Sequence, residues 1–139
     1  MTATPCVFCN PDKRYIIEER EHCIAVCFPE SAIKKGHFVV AAKEHVTSLS
    51  SLNPLQSAQI LVTAVDIAKK AEVILGAEKY YMAAIADQVR HFHIHLLPKM
   101  HGDTPIGSHI MSDTGWKGQT GEPVPAGYIE SFISALKNM

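Results

Sequence analysis

The chain has 139 residues, 47% of them hydrophobic and 19% charged, and a formal net charge of −1. That length suits one domain, and the balance is that of a soluble globular fold with a working core rather than a disordered segment. No basic run exceeds Lys34-Lys35 or Lys69-Lys70, so charge argues against a nucleic-acid polymer or an anionic membrane as the main partner, whereas small phosphorylated ligands stay open.

The opening Met-Thr-Ala-Thr-Pro-Cys has neither a positive n-region nor an apolar h-region, and the most apolar stretch, 60–68, is interrupted by Thr63 and Asp66. A cytoplasmic location is the expectation, with no membrane association. In that compartment Cys6, Cys9, Cys23 and Cys27 read as thiols or metal ligands rather than disulfides. Residues 15–19 and 23–28 are apolar runs about the polar break Arg20-Glu21-His22, which suggests a hairpin. The cysteines Cys23 and Cys27 then share one strand face as core residues. Gly36 precedes Phe38-Val39-Val40-Ala41-Ala42, short and β-branched enough for a buried strand.

Asn53 as cap, Pro54 at the first helical position and Gly76 as a left-handed C-terminal cap bound a long helix. Leu55, Ala58, Leu61, Val62, Val65, Ala68 and Ile74 are its expected core face. Residues 80–86 and 92–97 read as two further strands, joined by a tight connection at Asp87-Gln88. Beyond Pro98 the glycines and prolines of 99–127 disfavour regular structure, and they match neither dinucleotide nor P-loop spacing. A short amphipathic helix over 128–137 closes the chain. The histidines His22, His101 and His109 fall at turns or loops, and Trp116 could stack on a base or pack on the core.

The informative segment is His91-Phe92-His93-Ile94-His95-Leu96-Leu97-Pro98. Alternation on a strand places the three histidines on one face and Phe92, Ile94 and Leu96 beneath it. Such a row can be an idle titrating face, an open catalytic metal site, or a nucleophile with supporting imidazoles acting on phosphorus. Spacing alone does not separate the last two. Likewise Cys6-x-x-Cys9 is only half a metal site; it precedes Asn10-Pro11-Asp12, a turn, whereas a thioredoxin-like redox motif would start a helix.

The segment resembles the signature of the histidine triad (HIT) family, His-φ-His-φ-His-φ-φ with φ apolar, at all seven positions. The resemblance extends to Gly36-His37-x-x-Val40, Lys43-x-His45 and Leu49, and Cys6-x-x-Cys9 is similar to zinc-containing bacterial-type members. Together these motifs cover most of residues 6–98, the expected core of a single domain spanning 1–139. The resemblance implies an α+β fold with an antiparallel sheet of about five strands, one long helix and a homodimer. It implies cleavage of a nucleoside monophosphate, adenosine or guanosine in type, from a leaving group X that is an amine or a polyphosphate. His93 would be the nucleophile, forming a nucleotidyl-histidine; His95 would contact the phosphate and His37 would support the cluster. A structural zinc held by Cys6, Cys9, His45 and His91 is also implied.

Two departures bear on the substrate. Where many members carry Asn-x-Gly-x-x-Ala-Gly-Gln-Ser/Thr-Val, this chain has the shorter Ile85-Ala86-Asp87-Gln88-Val89-Arg90. Gln88 stands at the Ser/Thr position and can donate a hydrogen bond, whereas Asp87 stands at the Gln position and cannot unless protonated. The family's ribose-binding acidic or amide residue aligns with Pro29, and its neighbour Glu30 is the candidate substitute. Two other classes compete: a nucleotide-binding module with incidental turnover, and a zinc hydrolase that ligates its metal with the whole triad.

Overall fold

A computed structural model of the chain describes residues 6–106 and 123–139. The expectations for His109, Trp116 and the glycines at 107, 115, 118 and 121 lie outside the described residues. Five strands, β1 (Ile16–Glu19), β2 (Cys23–Val26), β3 (Phe38–Ala42), β4 (Ala77–Ala83) and β5 (His93–Met100), form one antiparallel sheet in the order β1-β2-β3-β5-β4. With the helices α1 (Pro54–Leu75) and α2 (Tyr128–Lys137), this is the expected α+β architecture. Among the described residues no helix is long and apolar enough to cross a membrane.

Both helices pack on one face of the sheet. Phe38, Val40, Ile94 and Leu96 of the sheet meet Ile60, Ala64 and Ile67 of α1 and Phe132, Ile133 and Leu136 of α2 in the main core. Phe92, Cys23 and Cys27 join them, so the alternation read from sequence holds. The opposite face carries a smaller cluster of Ile24, Val26, Val39 and Ala41, on which Phe8 of the N-terminal segment packs, with no helix over it among the described residues. That second face is where the histidines emerge.

Helix α1 starts as anticipated. The Asn53 carboxamide oxygen accepts the Gln56 N–H at 2.8 Å, the Gln56 side chain accepts the Asn53 N–H at 2.9 Å, and Gly76 at φ 66° ends the helix. Its buried face corrects the sequence reading. Gln56, Ile60, Thr63, Ala64, Ile67 and Ala71 face the sheet, while Ala58 is exposed and Leu55, Leu61, Val62 and Val65 are 65, 51, 51 and 42% exposed. Of the expected face only Ala68 and Ile74 pack partly against the core. The helix has two apolar stripes. The one with small residues, Ala64 and Ala71, allows close approach to the sheet, and periodicity alone cannot say which stripe is inside.

Strand boundaries shift in three places. Gly76 reverses the chain so sharply that β4 starts at Ala77 and ends at Ala83. Strand β5 runs from His93 through Pro98 to Met100. Its pairing with β3 stops at Leu96, so Pro98 lies where β5 has β4 as its only neighbour and a missing N–H is tolerated. The β4–β5 connection is consequently not a tight turn at Asp87-Gln88. It occupies 84–92, with Ala86 in the left-handed region at φ 55°.

Candidate functional site

His93 and His95 project from β5 onto the face that carries Phe8, with ring centroids 4.9 Å apart; His91 precedes the strand and is fully buried. Register sets their neighbours: His93 lies opposite Ala41 and His95 opposite Val39. His37, one residue before β3, lies beneath His95, its Nε2 3.0 Å from His95 Nδ1.

Valence fixes the tautomers. The Ile33 amide donates to His37 Nδ1 at 3.1 Å, so the His37 proton sits on Nε2 and is donated to His95 Nδ1. That leaves the His95 proton on Nε2. The His93 Nδ1–H donates to the His91 carbonyl at 2.7 Å, which leaves the lone pair on Nε2. The His91 Nε2–H donates to the Ala42 carbonyl at 2.6 Å, so its lone pair is on Nδ1. Each ring thereby offers a defined atom.

Burial keeps the cluster neutral. Burial lowers the His93 pKa, against the opposing pull of its bond to the His91 carbonyl. Burial and the adjacent His93 bring His95 to about 4; burial and the histidines at 95 and 93 bring His37 to about 3. An unfolded histidine titrates near ~6.5, so between these values the unfolded chain binds more protons than the folded one. Stability from this cluster is therefore complete above pH ~6.5 and is lost as pH falls toward the folded values. The melting temperature should drop from pH 7 to pH 5, before most carboxylates titrate. A flat profile over that window would contradict the neutral, buried cluster.

A second constellation sits at one end of the row. His91 Nδ1 is 3.3 Å from Cys6 Sγ, 3.5 Å from Cys9 Sγ and 3.1 Å from His45 Nδ1, and Cys9 Sγ is 3.3 Å from His45 Nδ1. All four donor atoms lie within 4.8 Å of one another. A tetrahedral ion with bonds of about 2.3 Å to sulfur and about 2.0–2.1 Å to nitrogen spaces its ligands by roughly 3.3–3.8 Å. The four residues named from sequence fit such a metal, and their two-thiolate, two-imidazole set leaves no open position for chemistry.

The face between His93, His95 and the N-terminal segment is a cavity of about 900 Å³. It is lined by Gln88, Asp87 and Glu30, the three expected substrate contacts, and by Val7, Phe8, Phe28, Ile33 and Val39. His37 does not line it and lies behind His95, to which it is hydrogen-bonded. The sequence reading missed the aromatic wall, in which Phe8 lies 4.6 Å from His93 and 5.9 Å from Phe28 between ring centroids. A signal was present, because a residue between two cysteines that meet His91 must itself lie near the triad. It also missed Tyr80, whose hydroxyl donates to the Gly36 carbonyl at 2.7 Å and so steadies the turn carrying His37.

Known proteins resemble this chain to differing degrees. An uncharacterized HIT-like protein of Mycoplasma genitalium is 32% identical over 78% of this chain and 83% of its own length. An adenosine 5'-monophosphoramidase of Schizosaccharomyces pombe is 31% identical over 73% and 80%. In fold, a Zn-bound histidine triad family protein of Mycobacterium smegmatis superposes with a TM-score of 0.70 at 22% identity, over 96% of this chain and 94% of that one. The family profile described as HIT domain matches residues 11–102, a span holding His37, His45 and the whole triad. The triad leading into β5, the histidine beneath it and the match over most of the chain lead to one assignment: this protein belongs to the HIT domain family.

Proposed function

We propose that the chain is a nucleotidyl hydrolase or transferase that cleaves nucleoside-monophosphate-X through a covalent nucleotidyl-histidine on His93. The observation that carries this reading is the His93 Nδ1–H bond to the His91 carbonyl, which holds an unprotonated Nε2 on a ring lining the cavity. In the first step Nε2 attacks the α-phosphorus: the N–P bond forms and the P–X bond breaks. The departing X takes a proton, for which His95 Nε2–H is the candidate donor, and Gln88 can hydrogen-bond the leaving atom. Water then attacks the phosphorus, nucleoside monophosphate leaves, and the imidazole is restored. Glu30 and Asp87 line the same cavity and are assigned to substrate binding. The phosphoramidase relative supports an adenosine phosphoramidate as X-bearing substrate, and a dinucleoside polyphosphate satisfies the same chemistry.

The test supplies adenosine phosphoramidates and dinucleoside polyphosphates, follows AMP release, and examines alkali-quenched protein by intact mass. An adduct of one adenylyl group on the peptide holding His93 is expected. Turnover without an adduct at any quench time would remove the covalent reading. The triad-ligated hydrolase is disfavoured because His91 turns Nδ1 toward Cys6, Cys9 and His45 and Nε2 toward Ala42, leaving it no nitrogen to share a metal with His93.

We assign zinc to Cys6, Cys9, His45 and His91, where it would cross-link the N-terminal segment to the sheet. We further propose a homodimer. Strand β4 is a sheet edge, and α1 presents Leu55, Leu61, Val62 and Val65 to solvent, which together suit a second copy of the chain. Leu61→Asp with Val65→Asp should convert a dimer to a monomer in analytical ultracentrifugation, while circular dichroism stays unchanged. A wild-type monomer at micromolar concentration would refute the dimer.

A further inference from the structure

The two cysteines of the metal site bracket part of the cavity wall. Residues 6–12 form neither helix nor strand, with a turn over 7–9, and the segment closes on itself through the Asn10 N–H to the Cys6 carbonyl at 3.2 Å. Its sulfurs face His91 and His45, whereas Val7 and Phe8 face the cavity. Phe8 is 6% exposed and its ring touches one histidine of the metal set and one of the cavity, with centroids 5.5 Å from His91 and 4.6 Å from His93. A short turn without ladder hydrogen bonds keeps such a position only if its ends are fixed.

We infer that metal binding at Cys6, Cys9, His45 and His91 and nucleotide binding in the cavity are positively coupled, with the Cys6–Cys9 turn as the link and Phe8 as a positioning residue for His93. The inference rests on the proposed reading of the cavity as a nucleotide site. The ion orders the turn and so sets the wall against which a base packs; a bound base, by pressing on Phe8, holds the cysteines in ligating geometry. Whichever binds first meets the ordering cost for the other. A second path runs through His91, whose Nδ1 belongs to the metal set and whose carbonyl holds the His93 proton. Coupling of this kind is reciprocal, so it can be read from the metal side without any turnover.

The experiment loads the full chain with zinc and measures zinc release to a chromogenic chelator at rising AMP, with AMP binding followed by calorimetry on the same samples. Saturating AMP should slow release by about fivefold or more. The Phe8→Ala variant should retain stoichiometric zinc and lose the slowing, and its KM should rise more than its kcat falls. Phe8→Tyr should restore both. Three results would overturn the inference: AMP that binds wild type without altering release, slowing that survives in Phe8→Ala, or Phe8→Ala kinetics equal to wild type. Absence of AMP binding to the zinc-loaded protein would instead sink the nucleotide reading itself, and the coupling with it.

Discussion

Replacing His93 with alanine should lower AMP release from an adenosine phosphoramidate by at least ~10³–10⁴-fold, the usual scale for removing a nucleophile that acts with its neighbours as a unit. The loss should fall on kcat rather than on mononucleotide affinity, because the cavity wall of Phe8, Phe28, Ile33 and Val39 is untouched. The fold should survive. His93 donates to the His91 carbonyl and lies tilted against Phe8, so truncation leaves that carbonyl without its partner and opens a small void. Metal content is the control that separates loss of chemistry from loss of structure, since both nitrogens of the His91 ring keep their contacts. A variant with full zinc, wild-type AMP affinity and no adenylyl adduct would assign the nucleophile. One retaining a tenth of the activity would move the reaction to another group.

Gly36→Ala is expected to be the most damaging alanine replacement among the described glycines. Gly36 sits at φ +88°, and an added Cβ would lie 2.5 Å from Leu75 Cδ1, 3.0 Å from Pro98 Cγ and 3.2 Å from Tyr80 Oη. The backbone term alone is worth about 1–2 kcal/mol. The end of the Leu75 side chain can turn aside, so with the tighter fit against Pro98 the total should reach roughly 2–3 kcal/mol, or a melting temperature lower by about 5–10 °C. The damage should also reach the chemistry. Movement at 36 shifts His37, loosens its bond to His95, and should change the pH dependence of kcat as well as its size. Adding Leu75→Ala to Gly36→Ala should recover part of the stability by removing the nearest clash. If the single variant melts with wild type, the close packing described around this turn is wrong.

The fold was legible wherever local chemistry decides the outcome. Asn53, Pro54 and Gly76 bound α1 because capping and a left-handed terminus are properties of a few adjacent residues, and α2 spans 128–137 as its amphipathic pattern implied. Side-chain alternation placed Phe92 and Ile94 under His93 for the same reason. The orientation of α1 was not legible. Leu61 and Val65 are as apolar as Ile60 and Ala64, and only the tertiary distance from helix to sheet selects the stripe with smaller residues. The β4–β5 connection was misplaced because Asp87-Gln88 has turn-like polarity, whereas the ladder ends at the Ala83–His95 pair. The metal quartet could be named from motif resemblance, and the geometry brings all four donors together. Phe8 was legible only through its place between the two cysteines, and Tyr80 escaped notice because its bond to the Gly36 carbonyl joins residues distant in sequence.

The hydrogen bonds running from Ile33 through His37 to His95 form a wire with a sealed end. It begins at a backbone amide, which does not titrate, so this branch cannot reload the imidazole of His95. Under the proposed mechanism, a proton that His95 surrenders to a departing group is not replaced along that branch, and the incoming nucleophile can return it at the atom that gave it up. Departure and arrival then use the same ring nitrogen in opposite senses. On that reading one imidazole serves water, an amine or a phosphate as acceptor, and the choice between hydrolysis and transfer lies with the acceptor that the cavity admits.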